Sequence, residues 1–80
     1  MFFKKSKQAV IYFIHKTSGY REKLQEWNLS TAEHETKFWG EVEMLARRYF
    51  PAGYDIKQRE FQWYYEGKTG DKIRVDVLSF

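Results

Sequence analysis

With 80 residues, a net charge of +3 and no cysteine, the chain has room for one domain with a thin core, and no disulfide can reinforce it. Aromatic residues make up 20% of it, and large rings supply buried area that so short a chain otherwise lacks. Fourteen basic against eleven acidic side chains permit contact with nucleic acid or an acidic protein but require neither.

Residues 1–7 read as a mobile basic arm carrying Lys4, Lys5 and Lys7, with Phe2 and Phe3 available to dock on the domain. This start is not a signal peptide, because the basic pair follows the aromatics and Lys7 interrupts before the apolar run begins. The run Ala9–Ile14 is too short to span a bilayer, so the expected location is the cytoplasm. Gln8 to Lys16 predicts a strand of β-formers. Ala9, Ile11 and Phe13 point to one face, and Val10, Tyr12 and Ile14 to the other. Apolar residues on both faces belong to a central strand covered on both sides.

Thr17-Ser18-Gly19 matches a three-residue hairpin loop with glycine in the left-handed position. The following segment, residues 20–29, has two readings. Tyr20, Leu24 and Trp27 have helical spacing, but the turn chemistry favours a returning antiparallel strand, and a charged edge strand resists unwanted pairing.

The spacing then predicts one amphipathic helix from Ser30 to Pro51. Ser30 and Glu33 form a capping box. Phe38, Val42, Leu45 and Tyr49 make an apolar stripe, widened by Trp39, Ala46 and Phe50. Glu33/Lys37 and Glu43/Arg47 pair one turn apart on the wet side. Pro51 and Gly53 stop the helix. Gly40 lies opposite the stripe, where it lowers helix propensity or lets something approach closely.

Beyond the helix, Arg59, Phe61, Trp63 and Tyr65 alternate on one strand face, and Ile73, Val75 and Val77 on the next. A Lys68-Thr69-Gly70 loop brings Glu66 opposite Lys72, Tyr65 opposite Ile73 and Trp63 opposite Val75, with Gly70 in the left-handed position. The expected fold is therefore α+β: a small antiparallel sheet packed on one amphipathic helix, β-β-α-β-β, in a single domain. If residues 20–29 were helical the order would be β-α-α-β-β. In either case Phe38, Val42, Leu45 and Tyr49 meet Phe61, Trp63, Val75 and Val77.

Little here points to catalysis. No serine sits in a nucleophile turn and no glycine-rich loop precedes a helix. His15 and His34 fall on different elements, and with Glu33 and Asp55 they lack recognisable ligand spacing. No catalytic, cofactor-binding or metal-binding residue is assigned.

Two binding surfaces remain. A one-helix domain covers only one sheet face, so Val10, Tyr12 and Ile14, with Tyr64, are expected to form a partly exposed protein interface, joined by Leu78 and Phe80. Lys4, Lys5, Lys7, Arg47, Arg48 and Arg74 are the basic residues available for nucleic acid. The interleaved Lys57, Arg59, Phe61, Trp63 and Tyr65 have the composition of a base-stacking strand, but the same face must floor the helix. The expected function is a non-catalytic protein-binding module, inhibitor- or adaptor-like or self-associating as a homodimer. The alternative is a nucleic-acid-binding accessory protein.

Overall fold

A computed structural model describes residues 7–79. The elements are β1 (Lys7–Ile14), β2 (Arg21–Leu29), α1 (Ala32–Tyr49), β3 (Tyr54–Arg59), β4 (Gln62–Gly67) and β5 (Lys72–Ser79). All strands pair antiparallel in the order β2-β1-β5-β4-β3. The helix therefore carries the chain from one sheet edge to the other. The expected arm lies outside the described residues, except that Lys7 opens β1.

The α+β class, the antiparallel sheet and the single helix stand as expected, and residues 20–29 are strand, not helix. β1 lies between β2 and β5, a central strand as expected, but α1 packs on its Ala9, Ile11 and Phe13 side and no described element covers the other. Its hairpin with β2 closes through His15 N–H to Tyr20 O at 2.9 Å and Gly19 N–H to His15 O at 2.8 Å, with Gly19 at φ 68°. A register shift between Ile11 and Tyr12 leaves Leu24 as an extra residue on β2. The β4–β5 hairpin has the expected pairs Glu66/Lys72, Tyr65/Ile73 and Trp63/Val75, with Gly70 at φ 94°.

After the helix there are three strands, one more than the sequence pattern indicates. The alternating run through Arg59 and Tyr65 folds back on itself at Glu60-Phe61, so that Arg59 faces Gln62. Glu60 takes the left-handed φ of 50°, a conformation that usually calls for Gly or Asn. A two-residue turn also inverts parity: odd residues of β3 share a face with even residues of β4. Lys57 and Arg59 consequently lie opposite Trp63 and Tyr65, and no base-stacking strand forms. Phe61, expected in the core, sits in the turn and is 67% exposed.

The core joins Phe38, Val42, Leu45, Ala46 and Phe50 to Ala9, Ile11 and Phe13 of β1, Ile73 and Val75 of β5, and Tyr65 of β4. Tyr49, expected in the stripe, is instead a rim residue with its ring 4.8 Å from Phe13. The helix cap is Thr31 rather than Ser30. Thr31 is extended (φ −135°, ψ 162°) and its Oγ1 accepts from His34 N–H at 3.1 Å. Ser30 lies one residue outside, 3.0 Å from His34 Nδ1, so the expected box with Glu33 does not form. The Glu33–Lys37 and Glu43–Arg47 pairs are present at 3.4 and 2.7 Å. Gly53 ends the helix at φ 111°, its N–H donating to Phe50 O at 3.0 Å.

Gly40 is exposed, and a Cβ placed there has nothing within 4 Å. No close approach requires it. Gly40→Ala should therefore raise stability by up to about 1 kcal/mol, the difference in helix propensity. Urea unfolding checks this through a higher midpoint at unchanged slope. A lower midpoint would mean that the site is crowded.

The open sheet face as candidate interaction surface

Strand alternation places Tyr12 of β1, Tyr64 of β4 and Arg74 of β5 on the face away from α1. The register aligns them in one row across the whole sheet: Lys23, Tyr12, Arg74, Tyr64, Lys57. Bases and rings alternate from edge to edge. The row is also organised from within. The guanidinium carbons of Arg21 and Arg74 each lie 4.9 Å from the Tyr12 ring centre, close enough for cation–π attraction. Arg74 Nε is 3.0 Å from Asp76 Oδ1, and the two side chains are only 16% and 18% exposed. The N–H is not aligned for a hydrogen bond, so the two atoms are held by charge alone. Tyr64 Oη donates to Gln62 Oε1 at 2.7 Å. Lys57 and Lys23 reach Glu66 and Glu26 at 3.7 and 3.3 Å. Asp76 thus positions Arg74, and Arg74 with Arg21 positions Tyr12.

Val10, Tyr12, Ile14 and Tyr64 all lie on this face, but they do not make an apolar patch. Val10 is 7% exposed, a correction to its expected place in a partly exposed interface. It lies between Glu26 of β2 and Asp76 of β5, whose chains are long enough to cover a valine. Tyr12, Ile14 and Tyr64 are half-buried, and Leu78, on the same face, is 44% exposed. Phe80 lies outside the described residues. The accessible surface is made mainly of tyrosine rings and paired charges, with Leu78 and part of Ile14 as its apolar members.

The basic set does not converge. Lys4 and Lys5 lie outside the described residues. Lys7 is paired with Glu35 at 2.9 Å near the start of α1, and Arg47 is paired with Glu43 in the last turn, where Arg48 also lies. The helix of 18 residues spans about 27 Å. Arg74 is on the opposite side of the sheet. Among the four described residues of this set, only Arg74 takes part in the row.

Elsewhere, His15 sits edge-on to Phe13 with ring centres 4.6 Å apart, and 4.0 Å from Glu22. Among the described residues no three His, Asp or Glu side chains are grouped to hold a metal ion, and no helix is long and apolar enough to cross a membrane. Under the helix, burial, and after it the neighbouring Tyr54 and Glu43, push the Tyr65 phenol above its ordinary pKa. On the open face, a shallow groove of about 240 Å³ is lined by Lys57, Arg59, Tyr64, Glu66 and Lys72.

The sequence reading missed Arg21 and Asp76. The β4–β5 loop already places Tyr64 beside Arg74. The β1–β5 pairing that adds Tyr12 and Arg21 joins strands from opposite ends of the chain and has no local signature. Comparison with protein-family models, with curated proteins and with solved structures finds no match.

Proposed function

We propose that this chain is a non-catalytic protein-binding module, inhibitor- or adaptor-like and cytoplasmic, whose contact surface is the open sheet face centred on Tyr12. The observation that carries this reading is the Tyr12 ring held between Arg21 and Arg74 on a face that no helix covers. Tyrosine and arginine are the residues that most often anchor protein interfaces. Side chains already fixed before binding lose less conformational freedom on association.

The row of alternating bases and rings gives a specific reason to keep nucleic acid as the second reading. Two features favour protein over it. Lys23, Lys57 and Arg74 each have a carboxylate beside them, and Glu26, Glu66 and Asp76 would repel a phosphate chain. The Tyr12 ring is also occupied by guanidinium groups and does not offer a free stacking face. Mixed charge around aromatic anchors complements another protein better than a uniformly negative strand.

The test is affinity capture from the native cells, with and without nuclease, using wild type, Tyr12→Glu, Arg21→Glu and, as control on the back of the helix, Met44→Glu. Circular dichroism verifies folding. The expected result is a protein retained by wild type and Met44→Glu, lost by the two open-face variants, and insensitive to nuclease. Nuclease-sensitive capture with a steep salt dependence would favour the second reading. Capture unaffected by either open-face variant would remove this surface from both.

A further inference from the structure

The geometry points to a second site, at the free edge of β3, that takes another copy of this chain as an added antiparallel strand. It does not depend on how the open face is read, although Lys57 both ends the open-face row and lies on this edge.

Among the described residues β3 pairs only with β4. The two-residue turn makes Arg59/Gln62 a mutually hydrogen-bonded pair, and such pairs alternate along an antiparallel ladder. Arg59, Lys57 and Asp55 therefore direct their backbone groups inward to β4. Tyr54, Ile56 and Gln58 direct theirs outward, away from the other described strands. β3 carries no proline and its pairing with β4 is regular. The other edge, β2, is interrupted by the bulge at Leu24, a device that discourages edge pairing. Ile56 on β3 is 56% exposed, on the helix side of the sheet but outside the helix's cover.

The side chains of β3 select both the partner and the register. Asp55 stands directly opposite Glu66 in the β3–β4 pair, a like-charge neighbour. No described Lys or Arg lies within ion-pair distance of it. Two β3 strands related by a two-fold axis through Ile56 would place Ile56 against Ile56, Tyr54 against Gln58 and Asp55 against Lys57 of the second copy, the last pair twice. Ile56/Ile56 and Tyr54/Gln58 are then the hydrogen-bonded pairs, matching the outward-facing backbone groups and giving about six interchain hydrogen bonds. Asp55/Lys57 falls at the non-bonded positions, where side chains come closest. Centring the axis on Lys57 would oppose two lysines, and centring it on Asp55 would oppose two carboxylates. An axis perpendicular to the sheet keeps both helices on one side and joins the two open faces into one surface.

Sedimentation across a range of protein concentrations tests the site by charge reversal. Asp55→Lys alone sets Lys against Lys, and Lys57→Asp alone sets Asp against Asp. Each is expected to weaken the dimer about tenfold or more. The double variant Asp55→Lys/Lys57→Asp restores opposite charges and should dimerise again, as should a 1:1 mixture of the two single variants. Tyr12→Glu should leave the dimer intact. A wild type that stays monomeric at millimolar concentration overturns the proposal. So do single variants that dimerise like wild type, or a double variant that stays monomeric while folded by circular dichroism. Loss of the dimer in Tyr12→Glu with no effect of the edge variants would assign self-association to the open face instead.

Discussion

Phe38→Ala is expected to remove most of the stability of this domain. Phe38 has no solvent exposure, and its ring lies edge-on to Trp27 at 5.7 Å and to Trp39 at 5.1 Å. Trp39 in turn meets Trp63 edge-on at 5.1 Å. These rings tie β2 to α1 through Phe38 and α1 to β4 through its neighbour Trp39. Truncating a buried Phe to Ala typically costs about 3–5 kcal/mol, from lost burial and from the cavity left behind. At about 0.05–0.15 kcal/mol per residue, a chain of 80 residues holds about 4–12 kcal/mol in total. The variant should therefore be largely unfolded, or unfold at much lower urea, with early exposure of tryptophan fluorescence. Phe38→Leu keeps most of the volume and should stay folded with a smaller loss. If Phe38→Ala unfolded at the wild-type midpoint, the ring could not be the centre of the core.

What the chain reveals without coordinates depends on whether the signal is local. The helix is legible because its stripe and its Pro51 stop are both local. The β4–β5 register is legible because a glycine loop and two alternating runs agree on one alignment. The third strand after the helix is not, because its turn is built from Glu60 and Phe61. A glutamate at φ 50° carries no turn signature, and the odd positions Arg59, Phe61, Trp63 and Tyr65 run through the turn as if the strand continued. The helix cap is displaced by one residue because Ser30 and Thr31 are both good caps, and only backbone geometry chooses between them.

The open face divides in the same way. That Tyr64 lies away from the helix follows from alternation, because its strand has one apolar face; for Tyr12 alternation leaves either apolar side of β1 available to the helix, and the structure places Ala9, Ile11 and Phe13 there. That Val10 is covered does not follow from alternation, since it depends on its place between Glu26 of the adjoining β2 and Asp76 of β5, at the far end of the chain. The change matters for function. With Val10 hidden, the open face presents a preorganised array of rings and guanidinium groups rather than an apolar patch, and the proposed recognition rests on that array, in which Asp76 acts through Arg74 on Tyr12. Such an array discriminates between partners by charge placement, since a wrongly placed like charge opposes binding.

Gly67→Ala is the second substitution expected to have a large effect, and its cause is steric rather than conformational. Gly67 is buried at the end of β4 and does not have a positive φ, so an L residue is permitted by the backbone. The obstacle is Phe50. A Cβ on Gly67 would come within 2.7 Å of Phe50 Cε1 and 2.8 Å of Cγ, and closer still to Cδ1. The ring has little freedom to retreat. Phe50 is 6% exposed, its N–H donates to Ala46 O at 2.8 Å, and its ring stacks on Phe13 at 6.2 Å. Gly67 is equally held, donating to Asp71 O at 2.9 Å and accepting from Gly70 N–H at 3.0 Å. Overpacking of this kind typically costs about 1–3 kcal/mol. Trimming the opposing ring provides the decisive comparison. Phe50→Leu alone should destabilise through lost burial, but Gly67→Ala in that background should cost much less than in wild type. Urea unfolding of the two single variants and the double variant closes the cycle, and a coupling of about 1 kcal/mol or more is expected for side chains in direct conflict. Additive effects would show that Gly67 is not kept small by Phe50, and that the helix end is anchored to β4 in some other way.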